Sequence, residues 1–197
     1  MTSLQEKFWK GQFGNKYSKR HKKYKKNFFK EIINKKINIK SVFEIGTNVG
    51  NNLDIIKSIK KNVITKGVEI NKFAALKAGS KGHDVNNCSI LNLKENKNLK
   101  SDLTLSCGVL IHINPKDLKK VYKKLYDLSK KYILIAEYFN DYPIKIKYRG
   151  HSNVLFKRDF AKEIKDIYKL KIVDYGFIWA EDKRYNRDNL NWFLLKK

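Results

Sequence analysis

The chain of 197 residues is poor in several residue types, and each scarcity excludes something. It has two cysteines, Cys88 and Cys107, and neither has a second thiol two or three positions away. No disulfide framework, zinc site or other metal site is expected. No apolar run approaches the roughly 18–20 residues needed to cross a bilayer. The N-terminal "MTSLQEKFWKGQFG" has no apolar segment of the secretory type, so a cytoplasmic protein without a membrane span is expected. Prolines number two, Pro115 and Pro143, both at element boundaries. Arginine is also scarce, with five against 39 lysines.

Hydrophobic residues make up 42% and aromatics 13%, enough for one sizeable core, so a single domain over residues 1–197 is expected. The formal charge of +25 supports two readings. A basic face attracts polyanions by counterion release. Alternatively, Lys, Asn and Ile together supply 80 residues, the signature of an AT-rich coding sequence, and the lysines then spread over solvated faces. The densest run, Lys16 to Lys30, interleaves basic residues with aromatics that can stack on RNA bases. Its Tyr17, Tyr24, Phe28 and Ile32 also fit one apolar stripe of a helix.

The first forty residues read as an aromatic-rich helical cap, with a second, Lys-studded helix ending near Asn38. From residue 41 apolar runs of strand length, "SVFEIG", "VITKGVEI", "DLTLSCGVLI" and "YILIAEY", alternate with helical patterns, "NNLDIIKSIKK", "NKFAALKAGSK" and "PKDLKKVYKKLYDLSKK". A short strand is expected near "DVNNCSI", and after the helical "KRDFAKEIKDIYK" the runs "LKIVDYGFIWA" and "NLNWFLLKK" close the chain as an antiparallel hairpin. The pattern predicts an α/β fold over 41–197: a mostly parallel, seven-stranded, Rossmann-like sheet with helices on both faces.

In "FEIGTNVG", Gly46 and Gly50 flank a strand-to-helix turn where backbone amides can meet a ligand. Glu69, in "GVEIN", lies nineteen residues beyond Gly50 at the predicted end of the second strand, where a carboxylate can accept from both ribose hydroxyls of a nucleoside. A dinucleotide pyrophosphate wants a third glycine at the turn, but Asn48 stands there and Glu44 puts a carboxylate just before the loop. An anion is disfavoured beside Glu44, whereas an ammonium is welcome. S-adenosylmethionine carries a ribose and an ammonium but no phosphate, so the loop resembles the first motif of Rossmann-like S-adenosylmethionine-dependent methyltransferases.

A longer resemblance rests on "EKFWKGQFGNKYSKR", "GVLIHINPKDL", "YILIAEYFN", "YRGHSNVLFKRDFA" and "VDYGFIWAEDKRYNRDNLNWFLLKK". Together they resemble the methylases associated with pseudaminic acid biosynthesis. The resemblance implies methyl transfer from S-adenosylmethionine, with S-adenosylhomocysteine as product, onto an anionic nonulosonic sugar or its precursor in bacterial surface glycans. It implies that Glu44, Gly46, Thr47, Asn48 and Gly50 line the methionine side, that Glu69 and Ile70 hold the ribose, and that Ser89 and Ile90 meet the adenine. Cys107, Gly108 and Val109 would border the methyl group.

An acceptor hydroxyl or protonated nitrogen needs a base. His112, in "VLIHINP", suits proton transfer near neutrality, or else caps the turn it sits in. His151 is the second base candidate. Tyr138 and Asn140 follow the fourth long strand and can hydrogen-bond a sugar; Glu137 alternates with Tyr138, so only one of the two should point inward. Tyr148 and Arg149 open the "YRGH" segment, and the Arg149 fork matches a carboxylate. Four of the five arginines, Arg149, Arg158, Arg184 and Arg187, follow residue 148, which favours anion contacts over drift, with surface salt bridges the alternative for the last two. Trp9, Phe13 and Tyr17 form either an aromatic lid over the sugar or a helix packed on the sheet. The rival to a small-molecule enzyme is a nucleic-acid-binding protein on the same scaffold, which would show a steep salt dependence.

Overall fold

The first strand of the sheet, β1 (Ser41–Ile45), is buried along its whole length, as befits a β-branched and aromatic run covered on both faces. The computed structural model describes residues 2–20, 24, 26–35, 37–94 and 96–197, so residues 21–23 and 25 of the Lys16–Lys30 run lie outside the described residues. Before β1 come α1 (Leu4–Lys10), α2 (Gln12–Ser18) and α3 (Asn27–Lys35). After it, α4 (Asn51–Ile59), β2 (Ile64–Val68), α5 (Lys72–Gly79), β3 (Asp84–Asn86), β4 (Ser101–Cys107), α6 (Leu118–Leu128) and β5 (Ser129–Glu137) alternate as the sequence predicts. The chain continues through a hairpin, β6 (Ile144–Tyr148) and β7 (His151–Lys157), then α7 (Phe160–Tyr168), β8 (Lys171–Ile178) and β9 (Leu190–Lys196).

Seven strands form one sheet in the order β3-β2-β1-β4-β5-β9-β8. The first five run parallel, and β9 enters antiparallel between β5 and β8. The chain steps outward from β1 to β3 and then returns to pair β4 on the other side of β1, so the order reverses between β1 and β4. In open α/β sheets that crevice, at the carboxyl ends of the strands, is where ligands bind.

Alternating side chains of the central strands build two apolar layers. On one face Phe43, Ile45, Ile133, Ile135 and Leu195 pack with α6 and α7. On the other, Val42, Leu103, Leu105, Leu134 and Leu194 pack with α3 and α4.

Two local expectations change, and one element is new. The helix expected through Lys131 stops at Leu128, because β5 begins at Ser129 and pairs with β4 from Ser101. The strand expected through Ile111 stops at Cys107: Gly108 takes a left-handed φ of 68° and Leu110–His112 closes a 3-10 turn. The "YRGH" segment is the tip of the separate β6–β7 hairpin, with Arg149 and Gly150 both at positive φ (50° and 85°), the signature of a tight two-residue turn.

Candidate functional site

The loop between β1 and α4 is shaped by close approaches. Gly46 has φ 61°, and a Cβ there would stand 2.6 Å from Val109 Cγ2, so the loop can lie against the post-β4 turn only with glycine at that position. A Cβ on Gly67 of β2 would collide with the Thr47 hydroxyl, which donates to the carbonyls of Glu44 (3.2 Å) and Val68 (3.4 Å). Asn48 sits at φ 49°, and its backbone N–H donates to Glu69 Oε2 at 2.7 Å; Glu69 Oε1 accepts from the Asn71 N–H at 2.8 Å. Both oxygens are thereby aimed and still keep lone pairs for a ligand. Burial raises the Glu69 pKa, and the backbone donors oppose it.

Two adjoining cavities open at the switch point. The larger, of 190 Å³, contains the loop residues Gly46, Thr47 and Asn48, the β2-end residues Glu69 and Ile70, and Ser89 with Ile90. Trp9 and Tyr17 from α1 and α2 border it from the other side. The second, of 160 Å³, is bordered by Tyr138, Tyr148, Arg149, Arg187 and Asp188. Their common wall is Tyr17, Tyr24, Asn52, Cys107, Gly108 and His112.

Several predicted residues lie elsewhere. Glu44 does not border either cavity: it is buried behind the loop, where Asn52 Nδ2 donates to its Oε1 at 2.7 Å and its Oε2 has no partner. Burial pushes its pKa up to about 8 against the pull of Asn52 and Arg187. Gly50 is the residue before α4, turned from the cavity toward His83. Phe13 stacks on Phe8 at 4.0 Å instead of lining a cavity, and His151 is exposed, capped edge-on by both rings. Asn140 folds back to donate to the Tyr142 carbonyl. Arg158 pairs with Glu163 at 3.0 Å and Arg184 with Asp182 at 2.6 Å, so both serve the scaffold or surface.

His112 is at the junction. Its Nδ1 lies 2.6 Å from the Val154 carbonyl, so Nδ1–H donates there and Nε2 carries the free lone pair. Trp9 and Tyr148 flank the ring at 4.5 and 5.2 Å, and burial drops its pKa to about 4, against the raising effect of the Val154 hydrogen bond. The alternation of Glu137 with Tyr138 resolves cleanly. Tyr138 borders the second cavity, while Glu137 is buried under the post-β4 turn. Its Oε1 accepts from the Ser106 hydroxyl (2.6 Å) and the N–H groups of Val109 and Leu110 (3.0 and 3.1 Å), and its Oε2 from Ile111 (3.5 Å). Burial still pushes it up to about 7.

Four residues escaped the sequence reading: Asn52, Asn71, Glu137 as an anchor, and Arg187 as a buried group. Asn52 had one available signal, its place at the start of α4, two residues past Gly50. The others depend on long-range packing that no local pattern carries.

No family model matches the chain, and no curated protein matches it. Solved structures do match in fold. Magnesium protoporphyrin IX methyltransferase from Synechocystis PCC 6803, with bound S-adenosylmethionine, matches at 13% identity over 79% of this chain and 69% of its own, with a TM-score of 0.55. The 1,6-didemethyltoxoflavin-N1-methyltransferase of Burkholderia thailandensis, with S-adenosylhomocysteine bound, matches at 13% identity over 80% and 70%, TM-score 0.62. The PH0226 protein of Pyrococcus horikoshii OT3 matches at 12% identity over 86% and 85%, TM-score 0.64. The fold is therefore the Rossmann-like fold of S-adenosylmethionine-dependent methyltransferases. Among the described residues, no helix is long and apolar enough to cross a membrane.

Proposed function

We propose that the chain is an S-adenosylmethionine-dependent methyltransferase whose acceptor is a nonulosonic sugar of the pseudaminic or legionaminic type, or a precursor of one, methylated on nitrogen or oxygen. The observation that carries the first half is the Glu69 carboxylate, oriented by two backbone donors, in a cleft that shares a wall with a second cavity.

The residues fit the cofactor. Glu69 keeps acceptor capacity for ribose hydroxyls. Trp9 Nε1 and Asn48 Oδ1, also buried without partners, offer a donor and an acceptor at the larger cavity. S-adenosylmethionine supplies an electrophilic methyl when bound. What remains for the chain is to align the acceptor, exclude water and remove a proton. His112 Nε2 is the base candidate on the shared wall; burial keeps it neutral at physiological pH and also makes it a weaker base than an ordinary histidine. The hydroxyls and ring faces of Tyr17, Tyr138 and Tyr148 suit a sugar, and Arg149 stands at the edge of the second cavity with its guanidinium 5.6 Å from the Tyr148 ring. The sugar class itself rests on the sequence segments quoted above.

Calorimetry with S-adenosylhomocysteine is the direct test: binding is expected, weakened in Glu69→Ala, and no binding by wild type at high micromolar ligand overturns the reading. A mass gain of one methylene on a purified nonulosonic sugar, dependent on S-adenosylmethionine, tests the acceptor.

A further inference from the structure

Arg187 is the one buried arginine among the described residues, 6% exposed, in a chain with five arginines against 39 lysines. A buried guanidinium costs several kcal/mol unless it is compensated. The compensation here is incomplete. Nη2 donates to Asn52 Oδ1 at 2.9 Å, Nη1 faces Cys107 Sγ at 3.7 Å, and Nε has no partner. The rings of Tyr24, Phe28 and Phe29 surround the guanidinium at 4.3, 5.2 and 5.1 Å. That cage suits a planar, delocalised cation. None of these groups carries a full negative charge. Arg187 forms no ion pair among the described residues: Glu44 is reached only through the Asn52 amide, and the Asp188 carboxylate borders the same cavity.

The same guanidinium borders the second cavity, across the common wall from the glycine loop. We propose that Arg187 is the specificity-determining cation of that cavity, binding a carboxylate of the acceptor at its inner end, with exposed Arg149 in the secondary role at the edge. The proposal rests on the methyltransferase reading for which molecule enters the second cavity, and it shifts the carboxylate from the hairpin tip to a buried position. A fixed, desolvated fork selects strongly for a planar anion, whereas an exposed arginine is screened.

The test is calorimetric titration with N-acetylneuraminic acid and with its methyl ester, each with and without S-adenosylhomocysteine. Wild type should bind the acid at least about tenfold more tightly than the ester. Arg187→Met, which removes a desolvated charge and should fold, is expected to bind S-adenosylhomocysteine yet lose the preference. Arg149→Met should keep most of it. The proposal is overturned if the preference survives in Arg187→Met, or if wild type shows no preference or no binding of the acid at millimolar concentration. Failure of S-adenosylhomocysteine to bind wild type sinks the methyltransferase reading instead, and the acid-to-ester ratio still decides the role of Arg187.

Discussion

Asn71 joins Glu69 to the N-terminal helices. Its backbone N–H donates to Glu69 Oε1 at 2.8 Å, while its side-chain amide donates to the Trp9 carbonyl (3.2 Å) and to Asn15 Oδ1 (2.8 Å). The same side chain caps α5 by accepting from the Ala74 N–H at 3.0 Å. One residue thus sets the carboxylate at the end of β2 and the position of the helices that border the cavity. Gln5 fixes the far side of α1: it donates to the Asn153 carbonyl of β7 at 2.7 Å and accepts from Asn114 Nδ2 at 3.2 Å.

Asn71→Ala should therefore uncouple the cap. Loss of the α5 N-cap costs about 1 kcal/mol, a small drop in melting temperature. The larger effect is local: hydrogen exchange over residues 4–18 should accelerate and S-adenosylhomocysteine affinity should fall about tenfold. Unchanged exchange in α1 and α2 would show that the aromatic contacts hold the cap without Asn71.

Glu44→Gln should stabilise the fold. The folded pKa of Glu44, about 8, stands above the ordinary carboxylate value, so its favourable contribution is complete below about pH 4.5 and is lost as pH rises through 8. Glutamine keeps the acceptor for Asn52 and has no such loss. The unfolding free energies of the two proteins should be close at pH 4.5 and diverge up to pH 8, with the variant ahead by about 1–3 kcal/mol at the end. S-adenosylhomocysteine affinity should change little in the same variant, because Glu44 is buried behind the loop and borders neither cavity. Equal pH dependence of both proteins would refute the buried-charge account.

The same substitution at Glu137 should act in the opposite direction. Every oxygen contact of Glu137 is with a donor, so an amide NH₂ placed where Oε2 accepts from Ile111 sets donor against donor. Glu137→Gln is expected to lose about 1–2 kcal/mol at pH 5, where the raised pKa keeps Glu137 neutral and no buried charge is relieved, and to lower kcat more than cofactor affinity, through the displaced Gly108–His112 turn. A stability gain at that pH would contradict the hydrogen-bond assignment.

The contrast between these two glutamates shows where the sequence is legible. Hydrophobic alternation carried the succession of strands and helices and the mostly parallel sheet with its antiparallel closing hairpin, and the glycine loop with Glu69 carried the cleft, because strand period and turn chemistry are local. The glycine loop did not reveal that Glu44 faces away from the cavity, since that depends on Asn52 and Arg187, the latter 143 positions further along the chain than Glu44. The four clustered arginines looked alike in composition. Packing divides them into two scaffold or surface pairs, one exposed tip and one buried cation. The hairpin was missed for a related reason: β6 alternates half-buried and exposed residues, without the apolar run that marked the sheet strands.

His112→Gln tests the proton-transfer role. The folded pKa of about 4 lies below the ordinary histidine value, so the neutral ring stabilises the fold above about pH 6.5, and that contribution is lost as pH falls through 4. Glutamine should therefore reduce the acid sensitivity of the fold between those limits. If Nε2 takes the acceptor proton, the variant should lose about 10²-fold in kcat while S-adenosylhomocysteine affinity changes little. In addition, the wild-type rate should show no acid limb at pH 6.5 that the variant lacks, because the group that titrates there in solution is already deprotonated in the fold. A kcat within a few-fold of wild type would return His112 to the role its Val154 hydrogen bond and its Trp9 contact already support, that of holding the post-β4 turn against the hairpin and the cap.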